Sequence, residues 1–218
     1  ISTHRINFIF FVPSLLGNLV ALKIFKDYDL SCLKKILFAG EAMPLNTLKL
    51  LKSGLPSALL SNLYGPTETT VDAIYWIFGE DIEKLEEVPL GNPCANHRVL
   101  FLDEQEKQVT VEDEIAEICI AGPGVALGYW KDAETTRTAF IASPESEKQD
   151  EVIYKTGDLG YRSSKDGLIY MTGRKDNQFK HYGYRIEAGE LENALNQFQF
   201  ILQSCVLYDC EKKRIQAF

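Results

Sequence analysis

The sequence predicts a mixed fold, α/β plus β. The expected parts are a partial layered α/β subdomain over 1–87, a small β-barrel-like subdomain over 88–174, and the start of a small α+β C-terminal domain over 175–218. Three observations lead there. Helical and strand-like apolar patterns alternate to about residue 78. Short alternating runs broken by turns follow from Val88 to Met171. An amphipathic helix beside strand-like runs comes after Gly173.

Taken in order, Ile6 to Phe11 reads as a strand ending at Pro13, and Ser14 is placed to cap a helix with Leu15, Leu16, Leu19 and Leu22 at helical spacing. Lys35 to Phe38 reads as a buried strand stopped by Ala39-Gly40-Glu41. Pro44 then starts a helix with Leu45, Leu48 and Leu51 on one face and Gly54 closing it. A strand over 58–63 follows, and Val71-Asp72-Ala73-Ile74-Tyr75-Trp76 is a second strand candidate, rich in β-branched and aromatic residues. Residues 80–87 form an acidic, exposed connection. Later strands are expected over 98–102, 115–120, 152–154 and 168–171, with a polar, mobile loop over 143–150 and a hairpin turn at Asp166-Gly167. Gly189 to Leu195 makes the amphipathic helix, Ser204 to Tyr208 a strand, and Arg214 to Phe218 begins another.

Composition narrows the function classes. At 218 residues and 45% hydrophobic, the chain can bury a core for one or two domains. A net charge of −8 argues against a nucleic-acid partner and against an anionic membrane surface. No apolar run approaches the roughly 20 residues of a membrane span, and Ile1-Ser2-Thr3-His4 carries no signal-peptide pattern. Five cysteines (Cys32, Cys94, Cys119, Cys205 and Cys210) have no metal-ligand spacing, so they read as reduced, small core residues of a cytoplasmic protein.

The chemistry centres on Asn62-Leu63-Tyr64-Gly65-Pro66-Thr67-Glu68-Thr69-Thr70. An aromatic ring, hydroxyl donors and one carboxylate are what a nucleotide site with a magnesium ion needs. The plainer alternative is a polar turn with a surface glutamate. Four further stretches set glycines and charges beside strands. Ala39-Gly40-Glu41 ends a parallel-type strand, where α/β sheets bind ligands. Gly122, Gly124 and Gly128 allow close backbone approach within Ala121 to Tyr129. Tyr154-Lys155-Thr156-Gly157-Asp158-Leu159-Gly160 puts a carboxylate in a turn, suited to gripping a diol. Gly173-Arg174-Lys175-Asp176-Asn177-Gln178-Phe179-Lys180 is charged and leads into Gly183-Tyr184-Arg185-Ile186-Glu187.

In this order the stretches resemble the adenylate-forming superfamily: amino-acid adenylation domains of nonribosomal peptide synthetases, D-alanine–carrier-protein ligases and, more distantly, acyl-CoA synthetases. The resemblance implies a ligase that joins an amino acid to ATP, releases pyrophosphate, and passes the acyl group to a phosphopantetheine thiol on an acyl or peptidyl carrier protein or domain. It implies ATP and Mg2+ as cofactors. Tyr64 would stack on adenine, with Gly40 and Glu41 lining the base and Asn62 and Gly65 in the same nucleotide-binding set. Thr67 would bond the α-phosphate and Glu68 would hold the metal ion. Asp158 would bind the ribose hydroxyls, with Arg174 beside it. Asp176 would be a hinge, and Lys180, counted with Thr67 and Glu68 as catalytic, would open the segment to Gly183 along the thiol's approach. Substrate choice would fall to Leu37, Ala39, Leu63, Val71 and Asp72, a compact and mostly apolar set; Asp72 is expected to point outward by strand alternation, or else to meet a polar substrate group. The phosphate-binding loop and the C-terminal catalytic lysine of the family are not matched, so the expectation is an internal piece of a longer enzyme, inactive alone. A ligase for another small carboxylic acid and a non-catalytic nucleotide-binding scaffold are the alternatives.

Overall fold

The computed structural model describes residues 1–144, 151–176, 178–198, 200–201, 203–209 and 212–218. Most of the expected loop over 143–150, and Cys210, lie outside the described residues.

The first sheet contains β1 (Phe8–Phe11), β2 (Lys35–Phe38), β3 (Leu59–Tyr64), β4 (Ile74–Phe78) and β5 (Asn92–Pro93), in that order. β1, β2 and β3 are parallel, with Phe10 beside Leu37 and Leu37 beside Ser61, whereas β4 is antiparallel to β3 and β5 is antiparallel to β4. Parallel neighbours need crossover connections. These are α1 (Pro13–Ala21) with the one-turn α2 (Ile24–Asp27), and α3 (Leu45–Gly54). Strand alternation turns Ile9, Ile36, Phe38, Leu60 and Phe78 to one face, where Leu16 of α1 and Leu48 and Leu51 of α3 cover them. Phe8, Phe10, Tyr75 and Ile77 alternate to the other face and are exposed.

Three local expectations differ from the structure. Helix α1 begins at Pro13, so Ser14 lies in the first turn rather than at the cap; both its N–H and its hydroxyl donate to Glu41. Val71 and Asp72 are not in a strand. Thr70 and Val71 take left-handed backbone angles (φ 60° and 72°), and β4 starts only at Ile74. The cause is a tight return: the Ala73 N–H reaches the Tyr64 carbonyl at 2.8 Å. A Cβ on Gly65 would sit 2.3 Å from the Val71 carbonyl oxygen, so this closure requires glycine. Nor is the acidic connection wholly exposed, since Ile82 within its 3-10 turn Glu80–Lys84 is buried.

The second sheet is antiparallel, with path β10 (Ile169–Arg174), β9 (Val152–Arg162), β7 (Ala116–Ala121) and β6 (Arg98–Leu102); β8 (Phe140–Ala142) lies along the first part of β9. Among the described residues this path is open, not a closed barrel. Main-chain bonds between Gly91 and Ile169 join it to the first sheet, and Ile74, Leu90, Phe101, Ile118 and Ile169 form a shared core. Helix α4 (Ala133–Ala139) was not expected; Asp132 caps it by accepting the Thr135 N–H and hydroxyl. The expected turn at Gly157-Asp158 is instead a bulge in a continuous β9. Its register to β7 passes from Lys155–Cys119 to Leu159–Glu117, four residues against two, and Gly157 absorbs the bend with φ 74°.

The C-terminal section has two hairpins, β11 (Gln178–His181) with β12 (Tyr184–Glu187), and β13 (Val206–Asp209) with β14 (Arg214–Ala217), and between them α5 (Ala188–Leu195). Phe179 stacks on Tyr208 with ring centroids 4.5 Å apart, joining the hairpins. Of the described cysteines only Cys119 is a buried core residue; Cys32 and Cys94 are half-buried and Cys205 is exposed.

Candidate active site

The bulge in β9 places Asp158 directly across from Arg174 of β10. The guanidinium donates to one oxygen of the buried Asp158 carboxylate, and the Tyr64 hydroxyl donates to the other. Arg174 also grips Asp176 with two bonds, Nε to Oδ1 at 2.7 Å and Nη2 to Oδ2 at 2.8 Å. Tyr64, Asp158, Arg174 and Asp176 therefore form one continuous polar chain from the end of β3 to the residues just after β10. Burial, then the neighbouring Asp158 charge, hold the Tyr64 phenol well above its usual range. Burial disfavours the Asp176 carboxylate, but its bonds to Arg174 win and keep its pKa low.

Glu68 forms a second centre. It lies in the 3-10 turn Thr67–Thr69, and its side chain is only 10% exposed. Arg185 of β12 donates from Nη1 to both its oxygens, at 3.0 and 2.9 Å, and the Tyr129 hydroxyl donates to Oε1 at 2.7 Å. The glycine-rich stretch closes on this turn, with the Ala126 N–H on the Glu68 carbonyl and the Thr70 hydroxyl on the Gly124 carbonyl, both at 2.8 Å. Burial works against the Glu68 carboxylate, yet the Tyr129 bond, a backbone N–H and Arg185 outweigh it and lower its pKa. Thr67 itself is exposed at the mouth of the turn.

Glu41 meets the C-terminal section as well. Besides Ser14, its carboxylate accepts the Gly183 N–H at 2.6 Å and has the Lys213 ammonium 3.7 Å away. Gly40 precedes it with φ 93°. Lys180 of β11 is within electrostatic reach of Asp158, Glu41 and Asp72, and burial depresses its pKa.

Register places Leu37, Ala39 and Leu63 on one face of the first sheet, because Phe38 lies beside Asn62 and the next pair is therefore Ala39 and Leu63. Val71 is exposed, and Asp72 is half-buried with Oδ1 shielded from solvent and unpartnered. The outward-facing expectation for Asp72 fails because Asp72 lies in the return turn rather than in a strand; burial raises its pKa. Asn62 stands apart from the other residues of the site: it alternates to the core face and donates to the Pro89 carbonyl at 2.7 Å.

Sequence reasoning gave no role to Arg185, Tyr129 or Glu117. Tyr129 does end the glycine-rich stretch 121–129, and Arg185 does lie within Gly183 to Glu187. Glu117 is a buried carboxylate on β7 that accepts the Gly157 N–H at 2.9 Å and the Lys175 ammonium at 3.0 Å, bracing the bulge and the residue before Asp176. Its signal was an acid in the middle of an apolar run.

Among the described residues no group of three or more His, Cys, Asp or Glu side chains could hold a metal ion. Mg2+ keeps waters and takes most of its remaining ligands from phosphates, so one protein carboxylate can suffice. Glu68, beside the exposed Thr67, is the candidate for that carboxylate here, with Arg185 spanning both its oxygens.

The AMP-binding enzyme family matches residues 1–130. The chain belongs to this family. Among curated relatives of this AMP-binding enzyme, bacitracin synthase 1 of Bacillus licheniformis is 38% identical over 201 residues, covering 91% of this chain and 4% of the relative. The L-proline--[L-prolyl-carrier protein] ligase of Streptomyces coelicolor is 34% identical over 210 residues, covering 96% of this chain and 38% of the ligase. Among solved structures, holo-PA1221, described as an NRPS protein containing adenylation and PCP domains, superposes with a TM-score of 0.87 at 28% identity, over 97% of this chain and 36% of that one. The chain thus spans well under half the length of these relatives.

Proposed function

We propose that this AMP-binding enzyme chain forms part of an ATP-dependent ligase that activates an amino acid and transfers it to the phosphopantetheine thiol of a carrier protein. In the first half-reaction a substrate carboxylate oxygen attacks the α-phosphorus of ATP, and the bond to the bridging oxygen breaks, releasing pyrophosphate. In the second, the thiol sulfur attacks the acyl carbon, the thiol proton is lost, and AMP departs with the electron pair.

The observation that carries this reading is the convergence of Tyr64 at the end of β3, Glu68 in the turn after it, Asp158 at the bulge of β9 and Arg174 at the end of β10 with the β11–β12 hairpin. Asp158, a carboxylate held by its cross-strand partner Arg174 and by Tyr64 of the first sheet, can accept bonds from a ribose diol. The hydroxyl of Tyr64 is anchored to that carboxylate, which fixes the ring beside the ribose for stacking on the base. Thr67 offers an exposed hydroxyl to the α-phosphate. A bound Mg2+ would neutralise phosphate charge, and Glu68 is the chain's carboxylate for it. Asp176, locked by Arg174, is the hinge of the C-terminal section, and Lys180 brings a positive charge to the cleft that receives AMP or the thiol.

The amino-acid side chain is assigned to the face lined by Leu37, Ala39 and Leu63, with Val71 and Asp72 at its rim. The unpartnered Asp72 oxygen favours a short side chain carrying a hydrogen-bond donor, because an unsatisfied buried acceptor is costly.

The test is amino-acid-dependent ATP–pyrophosphate exchange by the full-length natural protein across common L- and D-amino acids. Exchange with one or a few of them is expected, falling about 100-fold or more in Glu68→Gln. Asp72→Ala should erode the preference for donor side chains. A folded protein that binds ATP and exchanges with no amino acid would overturn the reading.

A further inference from the structure

Glu68 is shared between two parts of the chain that lie 117 positions apart, and its oxygens are already occupied. An ionised carboxylate offers about four lone-pair directions. Arg185 Nη1 lies across both oxygens at 3.0 and 2.9 Å, and Tyr129 takes a further direction on Oε1. Mg2+ binds oxygen at about 2.0–2.1 Å and demands a nearly octahedral shell, most of it water or phosphate. Such a shell cannot form on a carboxylate edge spanned by a guanidinium, and two cations on one buried carboxylate repel strongly at low dielectric.

We propose that Arg185 and a divalent cation compete for Glu68, so that docking of the β11–β12 hairpin and metal binding exclude one another. The proposal rests on the reading of Glu68 as the metal's carboxylate. Arg185 is then a positioning residue: docked, it neutralises Glu68; displaced, it frees both the metal seat and the hairpin.

The character of the docking supports this. A further hairpin contact also falls on a carboxylate, with the Gly183 N–H on Glu41 at 2.6 Å, and Lys213, between β13 and β14, has its ammonium 3.7 Å from the same group. Gly183 adopts φ 83° and packs so close to Val12 that a Cβ would lie 3.1 Å from Val12 Cγ1. Among the described residues after 176, only Ala188 and Val206 are buried apolar side chains. The section is therefore seated largely through charges and main-chain donors, and another cation can replace those. Linkage sets the size of the effect. If the docked form holds about 90–99% of the metal-free protein, apparent metal affinity is weakened about ten- to a hundredfold. Metal binding must then undock the hairpin by the same factor.

The experiment uses Mn2+ as the probe, its free concentration read by electron paramagnetic resonance, with the full-length natural protein and no nucleotide. Arg185→Ala is expected to bind Mn2+ about tenfold or more tightly than wild type. Glu68→Gln should weaken binding, and Arg185→Ala should add nothing in the Glu68→Gln background. Unchanged or weaker Mn2+ binding in Arg185→Ala would overturn the proposal, as would a gain that persists without Glu68. Wild-type protein gives an independent reading through hydrogen exchange over residues 178–187. Exchange there should rise as Mg2+ is added and should not respond in Glu68→Gln; no response in wild type, or added protection, counts against competition. Failure of amino-acid-dependent exchange while the Mn2+ competition holds overturns the ligase reading alone. Exchange in a protein whose Mn2+ affinity ignores Arg185 overturns the competition alone.

Discussion

Carboxylates of the body of the molecule pair with cations inside the body and with donors of the C-terminal section, and the two kinds of pair are placed by different means. In the body, Asp158 meets Arg174 because the two residues are cross-strand partners in one sheet, and Glu117 meets Lys175 across the adjoining strand. Apolar cores lie on both sides of those strands. In the C-terminal section, Arg185 and Gly183 reach Glu68 and Glu41 across 117 and 142 positions of chain. There the ion pair is itself the attachment. Pairs of the first kind are placed by a sheet that burial already stabilises; pairs of the second kind decide whether two surfaces touch. The first kind suits a fixed diol clamp, the second a reversible contact.

The largest test of that contrast removes apolar packing from the body. Leu60 is fully buried between β2, β4 and the helices. Leu60→Ala should destabilise the body by about 2–5 kcal/mol, through lost burial and the cavity left behind. Urea unfolding followed by tryptophan fluorescence measures it, since Trp76 packs against this core. A loss below about 1 kcal/mol would mean that the body does not depend on this core.

A middle-sized effect is expected inside the second sheet. Glu117→Gln keeps an acceptor for the Gly157 N–H but removes the charge facing Lys175. Lys175 is about a third exposed, so screening limits the loss to about 1–2 kcal/mol. The bulge that presents Asp158 should loosen too, raising the KM for ATP more than it lowers kcat. A rise in neither KM nor unfolding free energy would remove Glu117 from the account.

How far the sequence reveals these two regions follows from the range over which each is specified. β2, α3 and β3 were legible because their apolar spacing is local and strong, and Pro44 marks the helix start. Helix α4 was not legible because it has no buried residue, leaving only the Asp132 cap to announce it. Val71 and Asp72 resembled a strand because β-branched and aromatic residues follow them. The constraint that bends them lies elsewhere, in the backbone crowding around Gly65. The residues of the Asp158 clamp could be named from motifs, yet the bulge that aims Asp158 is a register shift between strands, and no periodicity reports it. The meeting of Arg185 with Glu68 is harder still: each lies in a recognisable stretch, but nothing local says that the stretches touch.

The smallest expected effect is on docking, and pH probes it. Glu68 has a pKa lowered from its usual 4.5 in the folded, docked protein. A carboxylate with a depressed folded pKa contributes stability that is complete above its unfolded value and is lost as pH falls through the folded one, because the undocked form binds the proton more readily. Docking should therefore hold steady from pH 8 to about 5.5, then weaken below 4.5. Protease cleavage within 178–187 should accelerate over that acid range, while amides of β7, buried along its whole length, stay protected. In Glu68→Gln the hairpin should be looser at neutral pH and should lose this acid response, because the titrating group is gone. If the hairpin loosened instead between pH 6 and 8, a group other than Glu68 would control the contact, and the contrast between fixed and reversible pairs would have to be redrawn around it.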